Sequence, residues 1–216
     1  MNRNVLVMGA TALLVGAFVV GATMYRQKQA ETVAAVVHKE SAALEREGAQ
    51  RLGSPDARVT IVEFFDPACD TCAEFAPHMR AFVDDNPGRV QVVERYAPFH
   101  PGSDKMVAIL EAARRQDKYW ETLDIMFANQ PAWADHQDPH PELIWGFLEK
   151  GGLDVARLRV DMNDPVYAAL VAKDLKDAKS LGITQTPEFF VNGKPLPTWG
   201  YRQLQDLVAS ELAANY

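Results

Sequence analysis

A β-branched and aromatic run, Arg58–Phe65 (RVTIVEFF), hands over through Asp66-Pro67-Ala68 to a segment of a different period. From Cys72 to Asp85 the apolar residues Phe75, Met79 and Phe82 recur at helical spacing, and Asn86-Pro87-Gly88 closes the segment. Val90–Tyr96 then reads as a second strand. A strand, a helix and a strand in that order build a parallel pair with a right-handed crossover, so the chain is read as α/β. This unit allows few folds, and it places Cys69-Asp70-Thr71-Cys72 where the strand gives way to the helix.

These are the only two cysteines in 216 residues. A disulfide-stapled framework would need more, so the pair is either a redox couple or half of a metal site. On a first helical turn, positions i and i+3 share a face, with Cβ atoms about 5–6 Å apart, close to disulfide range. Cys69 meets unpaired backbone N–H groups and the positive end of the helix dipole, both of which favour a thiolate. Cys72 lies one turn deeper and is more shielded. Cys69 is therefore the expected attacking thiol and Cys72 the resolving one. For the metal alternative, a copper or zinc module, His78 and His100 are the nearest further ligands, but no second ligand pair has metal spacing. No metal is expected.

Val5–Tyr25 carries no charged residue. A stretch of about 20 apolar residues spans a bilayer core, whereas a cleaved signal has a shorter apolar region. Residues 1–28 are read as an uncleaved signal anchor, with Val20-Gly21-Ala22 as the cleavage site of the alternative. Arg3 stands on one side and Arg26 and Lys28 on the other, so flanking charge does not orient the segment. Residues 29–52 are expected to form a helical spacer. Val33, Val37 and Leu44 hint at a heptad seam that Glu40 interrupts. The third region, 53–216, starts at the turn Gly53-Ser54-Pro55-Asp56. The net charge of −7 argues against a nucleic-acid partner.

The segment FFDPACDTCAEFAP resembles the active site of the DsbA-like branch of the thioredoxin superfamily. The resemblance runs from about Gly53 to the C-terminus. It implies a thioredoxin fold with a helical insertion, here at about 103–181. Lys105–Arg115, Lys118–Ala128, Pro141–Lys150, Asp154–Met162 and Pro165–Leu181 have helical spacing in that interval. Trp120, Phe127, Trp133, Trp145 and Phe147 are its expected core, and His136 and His140 flank a loop. Tyr201–Ala214 reads as a closing amphipathic helix.

Three further features carry the resemblance. Glu63 lies six residues before Cys69, where family members keep an acid that shuttles protons to the buried cysteine. A carboxyl among apolar strand neighbours is desolvated, which raises its pKa. Pro77 falls inside the predicted helix, at the spacing of the family's kink. Thr186-Pro187, ahead of the strand and turn Phe189–Lys194, resembles the cis-proline loop that faces the CxxC and borders the substrate groove.

The resemblance implies protein thiol–disulfide exchange outside the cytoplasm, from the inner membrane with the catalytic domain in the periplasm. It needs no cofactor beyond a redox-active Cys69–Cys72 disulfide. The partners would be cysteine-containing extracytoplasmic proteins and a membrane redox protein. Direction, oxidase or isomerase, stays open. Strong oxidants of the family carry Pro-His between their cysteines; Asp70-Thr71 replaces it here. Asp70 is expected to push Cys69 upward and make a weaker oxidant. A kappa-type glutathione transferase shares the insertion topology but needs neither the second cysteine nor an anchor.

Overall fold

The computed structural model describes residues 41–134 and 139–216, together with residues 16, 18, 20–29, 31 and 32, which are helical. In chain order the elements are α1 (Ser41–Leu44), β1 (Gln50–Gly53), β2 (Val59–Phe65), α2 (Asp70–Asp84) and β3 (Val90–Tyr96). The helices α3 (Ser103–Arg114), α4 (Tyr119–Ala128), α5 (Gln130–Trp133), α6 (Trp145–Lys150), α7 (Val155–Asp161) and α8 (Pro165–Ser180) follow. Then come β4 (Glu188–Val191), β5 (Lys194–Pro195) and α9 (Tyr201–Asn215).

The five strands form one sheet in the order β1-β3-β2-β4-β5. The β2/β3 pair is parallel, as the strand–helix–strand reading requires, and the remaining pairs are antiparallel. Every residue of β2 and β3 is buried, so the apolar residues of both strands point to both faces rather than alternating with exposed polar ones. On one face Val59, Ile61, Val90 and Val92 pack with Phe75 and Met79 of α2 and Leu204 and Val208 of α9. On the other, Val62, Phe64, Val93 and Phe190 meet Ala178 of α8, with Leu44 from α1. A third cluster joins Phe65, Cys69, Cys72 and Tyr96 to Met106, Leu110, Leu123, Met126 and Trp133 of the inserted helices. The insertion thus closes over the end of the sheet where the cysteines sit.

Pro77 lies within α2, and the helix runs on past it to Asp84. An interior proline costs a helix about 3 kcal/mol. Burial of Phe75 and Met79, at 7% and 2% exposure, offsets that at about 1.5–3 kcal/mol per large apolar side chain.

The structure corrects the sequence reading in four places. Residues 50–53 are a strand paired with β3, so 29–52 is not a uniform helical spacer, and the packed region reaches upstream of Gly53. The segment expected as one helix over Pro141–Lys150 is a short 3₁₀ turn, Pro141–Leu143, followed by α6. Of the five aromatics expected in the insertion core, Trp133 is fully buried, whereas Trp120, Phe127, Trp145 and Phe147 are partly so. The helix α2 starts at Asp70, placing Cys69 at its cap.

The apolar segment 5–25 and the seam 33–40 fall largely outside the described residues, as does His136. Among the described residues no helix is long and apolar enough to cross a membrane.

Candidate active site

Cys69 is the N-cap of α2, in extended conformation with φ −79° and ψ 121°. Its carbonyl accepts from the Ala73 N–H at 3.2 Å, and its own N–H donates to the Asp66 carbonyl at 3.0 Å. No side chain caps this helix start, so the backbone N–H groups of the first turn are left to face the sulfur. The Cys69 thiol donates to the Thr186 carbonyl at 3.2 Å, and the Thr186–Pro187 peptide bond is cis. Cys69 and Cys72 are free thiols, with 6% and 1% of their surface exposed.

The two sulfurs are driven apart in acidity. Cys69 is lowered to about 6 by hydrogen bonding from the Cys72 thiol, helped by Thr186 and by the backbone N–H groups of Cys72 and Thr71, against the opposing effect of burial. Cys72 is pushed well above the ordinary thiol range by burial and then by its neighbour Cys69, with the charge of Glu63 adding to the push. The expected upward push from Asp70 does not prevail. That residue opens the first turn with its side chain exposed, where solvent screens its charge.

Glu63 sits in β2 with 3% exposure. Burial raises its carboxyl well above the usual range, and the charges of Glu94 and Cys69 raise it further. This matches the desolvation expected for an acid among apolar strand residues.

Several neighbours were not evident from the sequence. Asp66, fully buried, accepts from the N–H groups of Ala68 and His100, both at 2.9 Å. It also contacts His100 Nδ1 at 2.7 Å and accepts from the Ser103 hydroxyl. The loop ahead of Cys69 is thereby tied to the start of the insertion. Gln130 Nε2 donates to the carbonyls of Pro67 and Cys69 at 2.9 and 3.1 Å. Trp199 Nε1 donates to the Pro187 carbonyl at 3.0 Å. His78 stacks on Tyr201, ring centroids 4.0 Å apart. Among the described residues no group of three or more His, Cys, Asp or Glu side chains is arranged to hold a metal. Glu94 had a signal, a charge inside an apolar strand, whereas Gln130 and Trp199 had none because their partners are remote in sequence.

A family model described as thioredoxin matches residues 45–209. The chain belongs to the thioredoxin family. Within it, this chain is similar to a thioredoxin-like oxidoreductase from Silicibacter pomeroyi, 26% identical, with 81% of this chain and 98% of that one covered at a TM-score of 0.68. It is also similar to oxidised BdbD from Bacillus subtilis, 25% identical, with 78% and 95% covered and a TM-score of 0.68. These likenesses place the chain among the DsbA-like members of the thioredoxin family. A curated relative, the Na(+)/H(+) antiporter NhaA of Herminiimonas arsenicoxydans, is 33% identical over 147 residues, 67% of this chain. The chain spans only 22% of that relative's length.

Proposed function

We propose that this protein is an extracytoplasmic thiol–disulfide oxidoreductase that exchanges disulfides with cysteine-containing proteins through Cys69 and Cys72. The observation that carries the reading is the unequal pair of sulfurs at the head of α2. Cys69, lowered to about 6, sits against the Thr186 carbonyl, and Cys72 lies buried behind it. A thiolate that forms at neutral pH is both a good nucleophile and a good leaving group.

In the oxidising direction a substrate thiolate attacks Cys69 of the disulfide. The Cys69–Cys72 bond breaks, and the departing Cys72 thiolate takes a proton from Glu63. A second substrate thiolate then attacks the substrate sulfur of the mixed disulfide. The substrate leaves with a disulfide, and Cys69 is released as a thiolate. A membrane redox partner restores the Cys69–Cys72 disulfide by accepting the two electrons. The reverse sequence reduces or isomerises. The Thr186 and Pro187 backbone flanks the groove in which an extended substrate segment lies. The apolar Val5–Tyr25 segment holds the domain to the inner membrane, on its periplasmic side.

Trapping tests the reading. Cys72→Ala should accumulate mixed disulfides with protein partners through Cys69, whereas Cys69→Ala should trap none. Equal trapping by both variants would overturn the assignment of roles. A companion measurement is alkylation of the reduced protein by iodoacetamide. Cys69 should react with a midpoint near pH 6, while Cys72 should stay unmodified up to pH 9 or beyond.

A further inference from the structure

Glu63 has a neighbour that the exchange reaction above does not use. Glu63 and Glu94 are register partners on the parallel strands β2 and β3, so their Cα atoms are about 4.8 Å apart and their side chains leave the same face. Both are buried, at 3% and 4% exposure. The Glu94 Oε2 atom has no hydrogen-bond partner among the described residues. A buried carboxyl oxygen without a partner costs free energy, so its retention calls for a reason. A cavity of about 20 Å³ is lined by both Glu63 and Glu94, together with Arg80, Trp120, Asp124 and Phe127. That volume suffices for a single water molecule. Arg80 and Asp124 are paired at 2.6 Å and partly exposed, so the cavity leads from the two acids toward the surface.

We propose that Glu94 is the outer station of a two-carboxylate relay that passes the Cys72 proton between Glu63 and solvent, by way of the cavity beside Arg80 and Asp124. The proposal rests on the exchange reaction above. When the disulfide is reduced, the Cys72 thiolate takes the Glu63 proton, Glu94 returns a proton to Glu63, and water reprotonates Glu94. When the dithiol is oxidised, the proton travels the other way. One proton moves per turnover and no charge is stranded.

The charged and titratable surroundings are consistent with this. Cys69 and Cys72 face Glu63 from α2. Arg80 of α2 faces Glu94 and is itself paired with Asp124 of α4. Tyr119, also of α4, feels the Glu94 charge. From β1 the register partner of Glu94 is the uncharged Gln50, and Leu52 lines the cavity. Burial lifts the Glu94 carboxyl to about 8, with Arg80 acting against it. The pair therefore holds a proton at neutral pH and can exchange it there.

The test is the rate at which dithiothreitol reduces the Cys69–Cys72 disulfide, followed from pH 5 to 10 and normalised to the reagent's thiolate. The unsubstituted protein should show a fall centred near pH 8. Glu94→Gln should cut the rate at pH 7 about tenfold and move the fall to lower pH, because Glu63 loses a like-charged neighbour. Glu94→Asp keeps a carboxylate and should keep the fall where it was. If Glu94→Gln unfolds, as thermal denaturation would reveal, the aspartate variant still decides. A slow reaction with no fall in the aspartate variant would overturn the relay. So would an unchanged rate and profile in Glu94→Gln. If Glu63→Gln slows the reaction about a hundredfold while Glu94→Gln does not, the relay ends at Glu63 and the exchange reading stands. If Cys69→Ala keeps exchange activity, the exchange reading itself fails.

Discussion

Glu94 and Arg95 are adjacent in β3 and both nearly inaccessible, yet they face opposite sides of the sheet and meet opposite treatment. Arg95 is bonded at every nitrogen. Its Nη1 donates to the carbonyls of Leu44, at 2.7 Å, and Ala43. Its Nη2 reaches Asp174 at 2.9 Å and Asp177 at 2.7 Å, and Nε also reaches Asp174. The guanidinium lies 5.0 Å from the centre of the Phe64 ring. Asp174 is matched in turn by Arg46 at 2.7 Å and the Tyr96 N–H at 3.0 Å, although Arg46 Nη2 has no partner among the described residues. Glu94 has a bare oxygen and a cavity. A buried charge that is fully matched fastens elements together, here α1 to β3 and α8. One that is left partly unmatched stays free to change its protonation.

The largest effect that would test this contrast is Arg95→Met. Removing the cation leaves Asp174 buried and two carbonyls unpaired, and breaking such a pair costs about 3–5 kcal/mol. The urea midpoint should fall accordingly, while the pH midpoint of Cys69 alkylation in the folded variant stays near 6. A shifted Cys69 midpoint would show that the fastening side also tunes the site, and the contrast would break.

A smaller effect of opposite sign belongs to Glu94→Gln. Folded-state values raised above the unfolded carboxyl, about 4.3, mean that the folded protein holds protons more tightly. Stability is then full below about pH 4.3 and declines as pH climbs toward 8, by up to about 1.4 kcal/mol per pH unit for each such group. Glu94→Gln should flatten this decline and gain on the order of 2–4 kcal/mol at pH 8 relative to pH 5. Urea titrations at the two pH values check it, and an unchanged slope would sink it.

The smallest expected effect is that of Arg80→Met. Its pair with Asp124 is partly exposed and contributes under about 1 kcal/mol. Its charge, however, holds Glu94 down. The variant should extend the alkaline decline in stability to higher pH while barely altering stability at pH 5.

Local pattern made most of the site legible. The CxxC was readable as lying at a helix start because a β-branched run precedes it and a helical stripe follows. Glu63 stood out as a charge within an apolar strand, whereas Thr186-Pro187 was picked out by its resemblance to the family's cis-proline loop. Edge strand β1, QRLG, was missed because a short edge segment has no alternation of its own and exists only through its pairing with β3. Glu94 carried the same signal as Glu63, a charge in VQVVERY, but nothing local says which strand residue it faces.

The opening strand–helix–strand unit and the order of sulfurs on its helix were determined by sequence alone, because periodicity and helix geometry act over a few residues. Tertiary structure decided the rest. It brought Thr186 to Cys69 across 117 positions, set Glu94 beside Glu63 by strand register, and separated the two thiols in acidity. Acidity depends on desolvation and on charges near in space, and neither exists until remote segments pack.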